Sequence, residues 1–112
     1  MHRRWRDYRT AGGARPVSDY ILALPDRDRA AIAVAMRAVV TEGRRVARHL
    51  RGPIYELRAD GVDESYRVLF AAEGKKSRIL LALEAISKRT QHTPKHVLDL
   101  AERRLADWRR RA

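Results

Sequence analysis

Three short stretches of this chain carry residue types able to handle a phosphate or a proton. In Tyr66-Arg67-Val68-Leu69-Phe70 an arginine interrupts an apolar run. Strand alternation sends it to the face opposite Tyr66, Val68 and Phe70. In Ile54-Tyr55-Glu56-Leu57-Arg58 the same alternation puts Glu56 and Arg58 on one face. A carboxylate beside two guanidiniums has two readings. On a solvated surface it is an ion pair worth about 0–1 kcal/mol. In a concave basic site it is a proton acceptor next to two phosphate ligands. Spacing alone leaves both open. The third stretch, Ser87-Lys88-Arg89-Thr90-Gln91-His92-Thr93-Pro94, gathers donors, cations and an imidazole between an apolar run and the start of a helix. Free amides at such a start suit an anion.

Other chemistries find no support. There is no cysteine among the 112 residues, which excludes a disulfide scaffold and thiol catalysis. His92 and His96 are four apart, but His92 precedes the expected helix, and no neighbouring Asp, Glu or Cys completes a metal site. His49 and His96 read as solvated or locally structural, and Trp5 and Trp108 as packing residues. No P-loop, GxGxxG or Gly-x-Ser-x-Gly is present.

Charge points to the partner. Lys and Arg total 25 against 14 acidic residues, a formal charge of +11, as expected of a protein that meets a polyanion. The cations fall into four groups. Arg3, Arg4, Arg6, Arg9 and Arg15 lie in the first segment. Arg44, Arg45, Arg48 and Arg51 lie in a basic connector over 44–52. Lys88, Arg89 and Lys95 surround the strand-to-helix junction with no acid nearby, and Arg103, Arg104, Arg109, Arg110 and Arg111 crowd the last helix. No apolar run approaches the roughly 18 residues of a membrane span, and no signal-peptide core follows the basic start. A cytoplasmic protein is the expectation.

The elements that must position these residues can be read in order. Trp5 and Tyr8 are spaced like residues of a short strand, and Gly12-Gly13 follows as a loop. Ser18 is placed to cap a short helix that Pro25 ends, and Asp26 to cap a longer, alanine-rich one over 27–42. Gly43 is its expected left-handed stop. Three strands follow, Ile54–Arg58, Tyr66–Ala71 and Ile79–Leu83, joined by short turns and so an antiparallel meander. The last lacks alternation, as a strand covered on both faces should. Thr93 is expected as N-cap and Pro94 as first residue of a final helix with Val97, Ala101, Leu105 and Trp108 as its buried stripe. The 45 % hydrophobic content suits one packed α+β domain over 1–112, its two N-terminal helices covering one sheet face.

The blocks Leu50-Arg51-Gly52-Pro53-Ile54-Tyr55-Glu56-Leu57-Arg58, Tyr66-Arg67-Val68-Leu69-Phe70 and Lys88-Arg89-Thr90-Gln91-His92-Thr93-Pro94 resemble, in order and spacing, those of RelE/HigB-type toxins, nearest the phage-derived HigB-like branch. Leu22-Ala23-Leu24-Pro25 with its helix and Ala101-Glu102-Arg103-Arg104 extend the likeness over about residues 16–108. The resemblance implies a RelE-like fold: a small twisted antiparallel sheet, an N-terminal helical hairpin on one face and a C-terminal helix. It implies a toxin of a type II toxin–antitoxin module, a ribosome-dependent mRNA endoribonuclease working without metal or cofactor. Its partners would be a helix-turn-helix, HigA-like antitoxin, the ribosome and mRNA. In the resemblance Arg67 matches the family's Tyr-Arg strand arginine and stabilises the phosphate, with Arg58 assisting. Lys88 and Arg89 match a basic pair acting as second clamp and proton donor. His92 stands where this branch commonly has lysine, and Glu56, typical of the branch, is a candidate base. Arg44, Arg45, Arg48, Arg51 and Lys95 are the expected RNA contacts. A ParE-like toxin directed at gyrase and a non-catalytic nucleic-acid binder are the alternatives.

Overall fold

The computed structural model describes residues 2–87 and 92–112. Five strands form one sheet: β1 (Arg4–Asp7), β2 (Arg48–Arg51), β3 (Ile54–Asp60), β4 (Ser65–Glu73) and β5 (Ile79–Ser87). Their order is β1-β5-β4-β3-β2. β2 to β5 are an antiparallel meander, and β1 joins β5 in parallel. The expected three-strand meander thus has a fourth member. Residues 48–51 of the basic connector pair with β3, Arg48 opposite Glu56 and His49 opposite Tyr55. An edge strand half in solvent shows no apolar alternation, so its residues read as a connector.

Helices α1 (Pro16–Leu22) and α2 (Asp26–Glu42) cover one face, where Val17, Ile32 and Val39 meet Leu57, Val68 and Phe70. Trp5 closes that layer, its indole N–H donating to the Met36 carbonyl at 2.8 Å and its ring edge-on to Phe70 at 5.1 Å. Helix α3 (Lys95–Arg111) covers part of the other face, setting Val97, Ala101 and Leu105 on Ile54, Leu69 and Leu83. Each such leucine contributes about 1.5–3 kcal/mol through removal from water. β5 feeds both layers, Leu80 and Ala82 to one and Leu81 and Leu83 to the other, which is why it does not alternate. Several C-terminal cations fasten α3 instead of forming a solvated tail. Arg104 donates to the Leu83 carbonyl at 2.8 Å, and Arg109 pairs with Glu73 at 2.7 Å.

Helix starts differ from expectation. Pro16 opens α1, leaving Ser18 inside its first turn. Pro25, held extended at φ −57° and ψ 152°, takes the cap position of α2, so Asp26 is its first helical residue. Asp26 and Asp28 still favour the positive end of the helix dipole. Pro94 does for α3 what Pro25 does for α2, and Thr93 makes no cap. Gly43 ends α2 with φ +75°, as expected.

Asp28 ties the hairpin to the sheet. Its carboxylate accepts the Val62 amide at 2.9 Å and the buried Tyr66 hydroxyl. A Cβ on Gly61 would stand 2.6 Å from that carboxyl group, so only glycine fits there. The hydrogen bond from Tyr66 lowers the Asp28 pKa first, the Val62 amide second. The same bond, with burial, pushes the Tyr66 phenol up to about 12. The signs follow: Asp28 contributes stability that is lost as pH falls through its depressed pKa, and Tyr66 contributes stability lost as pH rises towards about 12. Tyr66→Phe should cost about 1–3 kcal/mol in urea unfolding at neutral pH. In the wild type an ultraviolet titration should find a tyrosine ionising near 12, absent from the variant.

Candidate active site

Alternation along β3 and β4 turns Glu56, Arg58 and Arg67 to the face away from the hairpin, beyond the area α3 covers. Register then decides the neighbours. Glu56 lies between Arg48 of β2 and Leu69 of β4, and Arg58 lies directly opposite Arg67. Like charges so placed repel unless a counter-charge intervenes. Glu56 is that counter-charge. Its side chain has 0 % exposure, and its Oε1 stands 3.2 Å from Arg58 Nε and 3.9 Å from Arg67 Nε. Its Oε2 accepts the Thr93 hydroxyl at 2.5 Å, and the Thr93 hydroxyl oxygen in turn accepts Arg67 Nη1–H at 3.1 Å. Thr93 is therefore a strap between carboxylate and guanidinium, and this work displaces the capping role expected of it.

The three arginines differ in access. Arg67 is 3 % exposed, Arg58 has 41 % of its side chain in solvent, and Arg48 is exposed at the sheet edge. Burial lowers the Arg67 pKa, and the Glu56 carboxylate opposes this while Arg58 and Arg48 add to it. A guanidinium stays charged through any such shift of ordinary size. The arrangement can present an anion with an exposed cation, Arg58, and a more enclosed, firmly held one, Arg67, opposite it on the next strand, a pairing suited to an oxyanion or phosphate.

Other predicted residues lie elsewhere. Lys88 and Arg89 lie outside the described residues. His92 adjoins Thr93 in the chain and is exposed. Arg44 sits over the Tyr55 ring at 5.4 Å, on the hairpin side, and Arg45 pairs with Glu42. Arg51 is held by Asp99 at 2.8 Å and Glu102 at 2.7 Å and so docks α3 on β2. Lys95, expected to have no acid nearby, meets Asp99 at 2.9 Å because one helical turn brings i and i+4 together. Sequence reasoning missed Thr93 as a site residue, since an N-cap explained it fully. Among the described residues no group of three or more His, Asp or Glu could hold a metal ion, and no helix is long and apolar enough to cross a membrane.

A sheet with a helical hairpin on one face, a C-terminal helix on part of the other and a buried Glu–Arg pair beside it defines an α+β, RelE-like protein. Comparison with known proteins narrows the class. Residues 19–106 match the family model "Phage derived protein Gp49-like (DUF891)". The chain is also 33 % identical over 109 residues to "Probable endoribonuclease HigB1" of Mycobacterium tuberculosis, in strain CDC 1551 / Oshkosh and strain ATCC 25618 / H37Rv alike. Each alignment covers 95 % of this chain and 85 % of the relative. The chain belongs to the phage-derived Gp49-like family, and with it to the HigB/RelE-type toxins.

Thr93→Val should leave a lone pair of Glu56 and a donor of Arg67 unmet in a nearly dry site. A loss of about 1–3 kcal/mol in chemical denaturation is expected, with Thr93→Ser recovering most of it. Equal stability of the valine and serine variants would show the hydroxyl to be idle.

Proposed function

We propose that this toxin is an endoribonuclease that cuts mRNA on the ribosome, receiving the scissile phosphate at the Glu56–Arg67–Arg58 cluster. Kinship with the HigB1 endoribonuclease supports the reaction class, and an antitoxin partner goes with the toxin–antitoxin family. The observation that carries the reading is a nearly buried arginine held by Glu56 and Thr93 directly opposite an exposed one on the neighbouring strand. A solvated surface pair has no use for so much desolvation.

The reaction is in-line transfer. The 2′-oxygen attacks the adjacent phosphorus, the bond to the 5′-oxygen breaks, and a 2′,3′-cyclic phosphate is left, with one proton removed at the 2′-hydroxyl and one delivered to the 5′-oxygen. Arg58 contacts the phosphate, and Arg67 lends charge from the neighbouring strand as negative charge grows on the equatorial oxygens. Glu56, fully enclosed, orients both arginines and also holds the Thr93 hydroxyl. Its part as base therefore runs through that hydroxyl or passes to His92. Lys88 and Arg89 supply the second clamp and the proton for the leaving oxygen. None of these steps calls for a metal or cofactor. Arg48, on the cluster's own face, and the exposed Arg44, Arg45 and Lys95 hold more distant phosphates, with binding that weakens steeply as salt rises. Arg51 joins them through the part of its guanidinium that its carboxylate partners leave exposed. The antitoxin is a HigA-like helix-turn-helix protein encoded beside the toxin.

Induction in cells followed by primer extension tests this. Wild type should create new mRNA 5′ ends only while translation runs. Arg58→Ala, which removes a cation, and Arg67→Lys, which keeps the charge but loses the fixed guanidinium fork, should each lower cleavage by roughly 10²–10³-fold, the usual effect of losing a preorganised transition-state donor. Full toxicity of both folded variants would remove the cluster from the mechanism. Failure of DNA synthesis before protein synthesis would redirect it to gyrase, and a harmless wild type would leave only binding.

A further inference from the structure

We propose that the open edge of β1 is a strand-addition site for an extended segment of a partner protein in which acidic and apolar residues alternate. β1 is terminal in the sheet, and only its β5 side is paired among the described residues. The amides of Arg4 and Tyr8 donate towards β5, to the carbonyls of Arg78 and Ala82 at 2.9 Å each. In a parallel ladder successive residues turn their N–H and C=O to opposite sides, so those of Trp5 and Asp7 point outward. They offer a template for another strand.

Two clefts flank this edge and differ in character. On the hairpin side an apolar cleft of about 240 Å³ is lined by Trp5, Val17, Ile21, Leu22 and Met36. Leu22 stands 64 % exposed there, an unusual position for a leucine with no partner. Beyond the end of α3 a second cleft, of about 530 Å³, is lined by Arg6, Arg9, Arg15, Arg111 and Trp108. Arg15 and Arg111 are engaged by Asp7 and Asp107, and Arg6 and Arg9 are exposed. An added strand sends alternate side chains to opposite faces, one set to each cleft. Apolar residues satisfy the first and carboxylates the second.

The occupant follows from charge. A second copy of this +11 chain would bring Arg4 and Arg6 against basic residues of its own kind, and a nucleic acid has no alternating amide and carbonyl groups to complete the open strand edge. An acidic protein segment fits both. Strand β5 separates this edge from the Glu56–Arg67–Arg58 cluster on β3 and β4, so occupancy here and chemistry there can be measured separately.

The probe is a synthetic eight-residue peptide alternating Glu with Val and Leu, titrated into the full chain by calorimetry and followed by amide hydrogen exchange. Binding should slow exchange at Trp5 and Asp7. Leu22→Glu should weaken it roughly tenfold through lost apolar contact and like charge. Asp7→Pro, which removes one outward amide, should weaken it beyond Asp7→Ala, the control for the lost Arg15 pair. RNA cleavage by Leu22→Glu should match wild type, so failure of the docking site and failure of the nuclease reading appear in different assays. A scrambled peptide of the same composition binding equally well, unchanged exchange at Trp5 and Asp7, or an indifferent Leu22→Glu would overturn the proposal in favour of unspecific attraction to a basic surface.

Discussion

On the sheet face away from the hairpin a carboxylate with no solvent exposure faces a guanidinium almost as enclosed. Ions so placed cost several kcal/mol each unless their partners are exact in position, and removal of one strands the other. Three elements must therefore meet in one arrangement: β3 with Glu56, β4 with Arg67, and the residues leading into α3 with Thr93. The docking of α3 serves this meeting. Arg51 holds its first turns through Asp99 and Glu102, Arg104 holds its middle through the Leu83 carbonyl, and Val97, Ala101 and Leu105 supply the apolar weight.

The sheet divides two kinds of work. Its hairpin face is given to core, with Trp5, Phe70 and the aliphatic residues of α2 packed against one another. Its other face is core where α3 lies and polar beyond, so the groups proposed for catalysis stand on β-strands buttressed from behind. Strands hold side chains within narrower limits than loops do, an advantage for a site that works by preorganised charge. The same construction makes the site a burden on stability, since its ions replace apolar residues that would pack without cost.

The positive surplus is also divided. Arg51, Arg104 and Arg109 are bound to carboxylates of the chain and act as internal fasteners. Arg58 is also paired, with Glu56, yet stays partly in solvent, and Arg48, Arg44 and the arginines of β1 are exposed, on different sides of the sheet. In the proposed roles one face meets RNA while an edge strand meets a protein. A count of charges cannot distinguish the two roles, because pairing depends on residues far apart in the chain.

Local periodicity was legible without a structure. The alternation of Tyr66-Arg67-Val68-Leu69-Phe70 set Arg67 opposite the aromatic face, Gly43 marked the end of α2, and the unbroken apolar run of β5 announced burial on both sides, since each depends on neighbours within a few residues. The resemblance of the ordered blocks was likewise readable, being a matter of sequence. Tertiary structure decided the rest. It made a strand of Arg48–Arg51 by supplying β3 as partner, turned Thr93 from a cap into a strap across 37 residues to Glu56, and buried Arg67 opposite Arg58. These are long-range contacts, whose energy comes from hydrogen bonds and desolvation that no window of sequence contains.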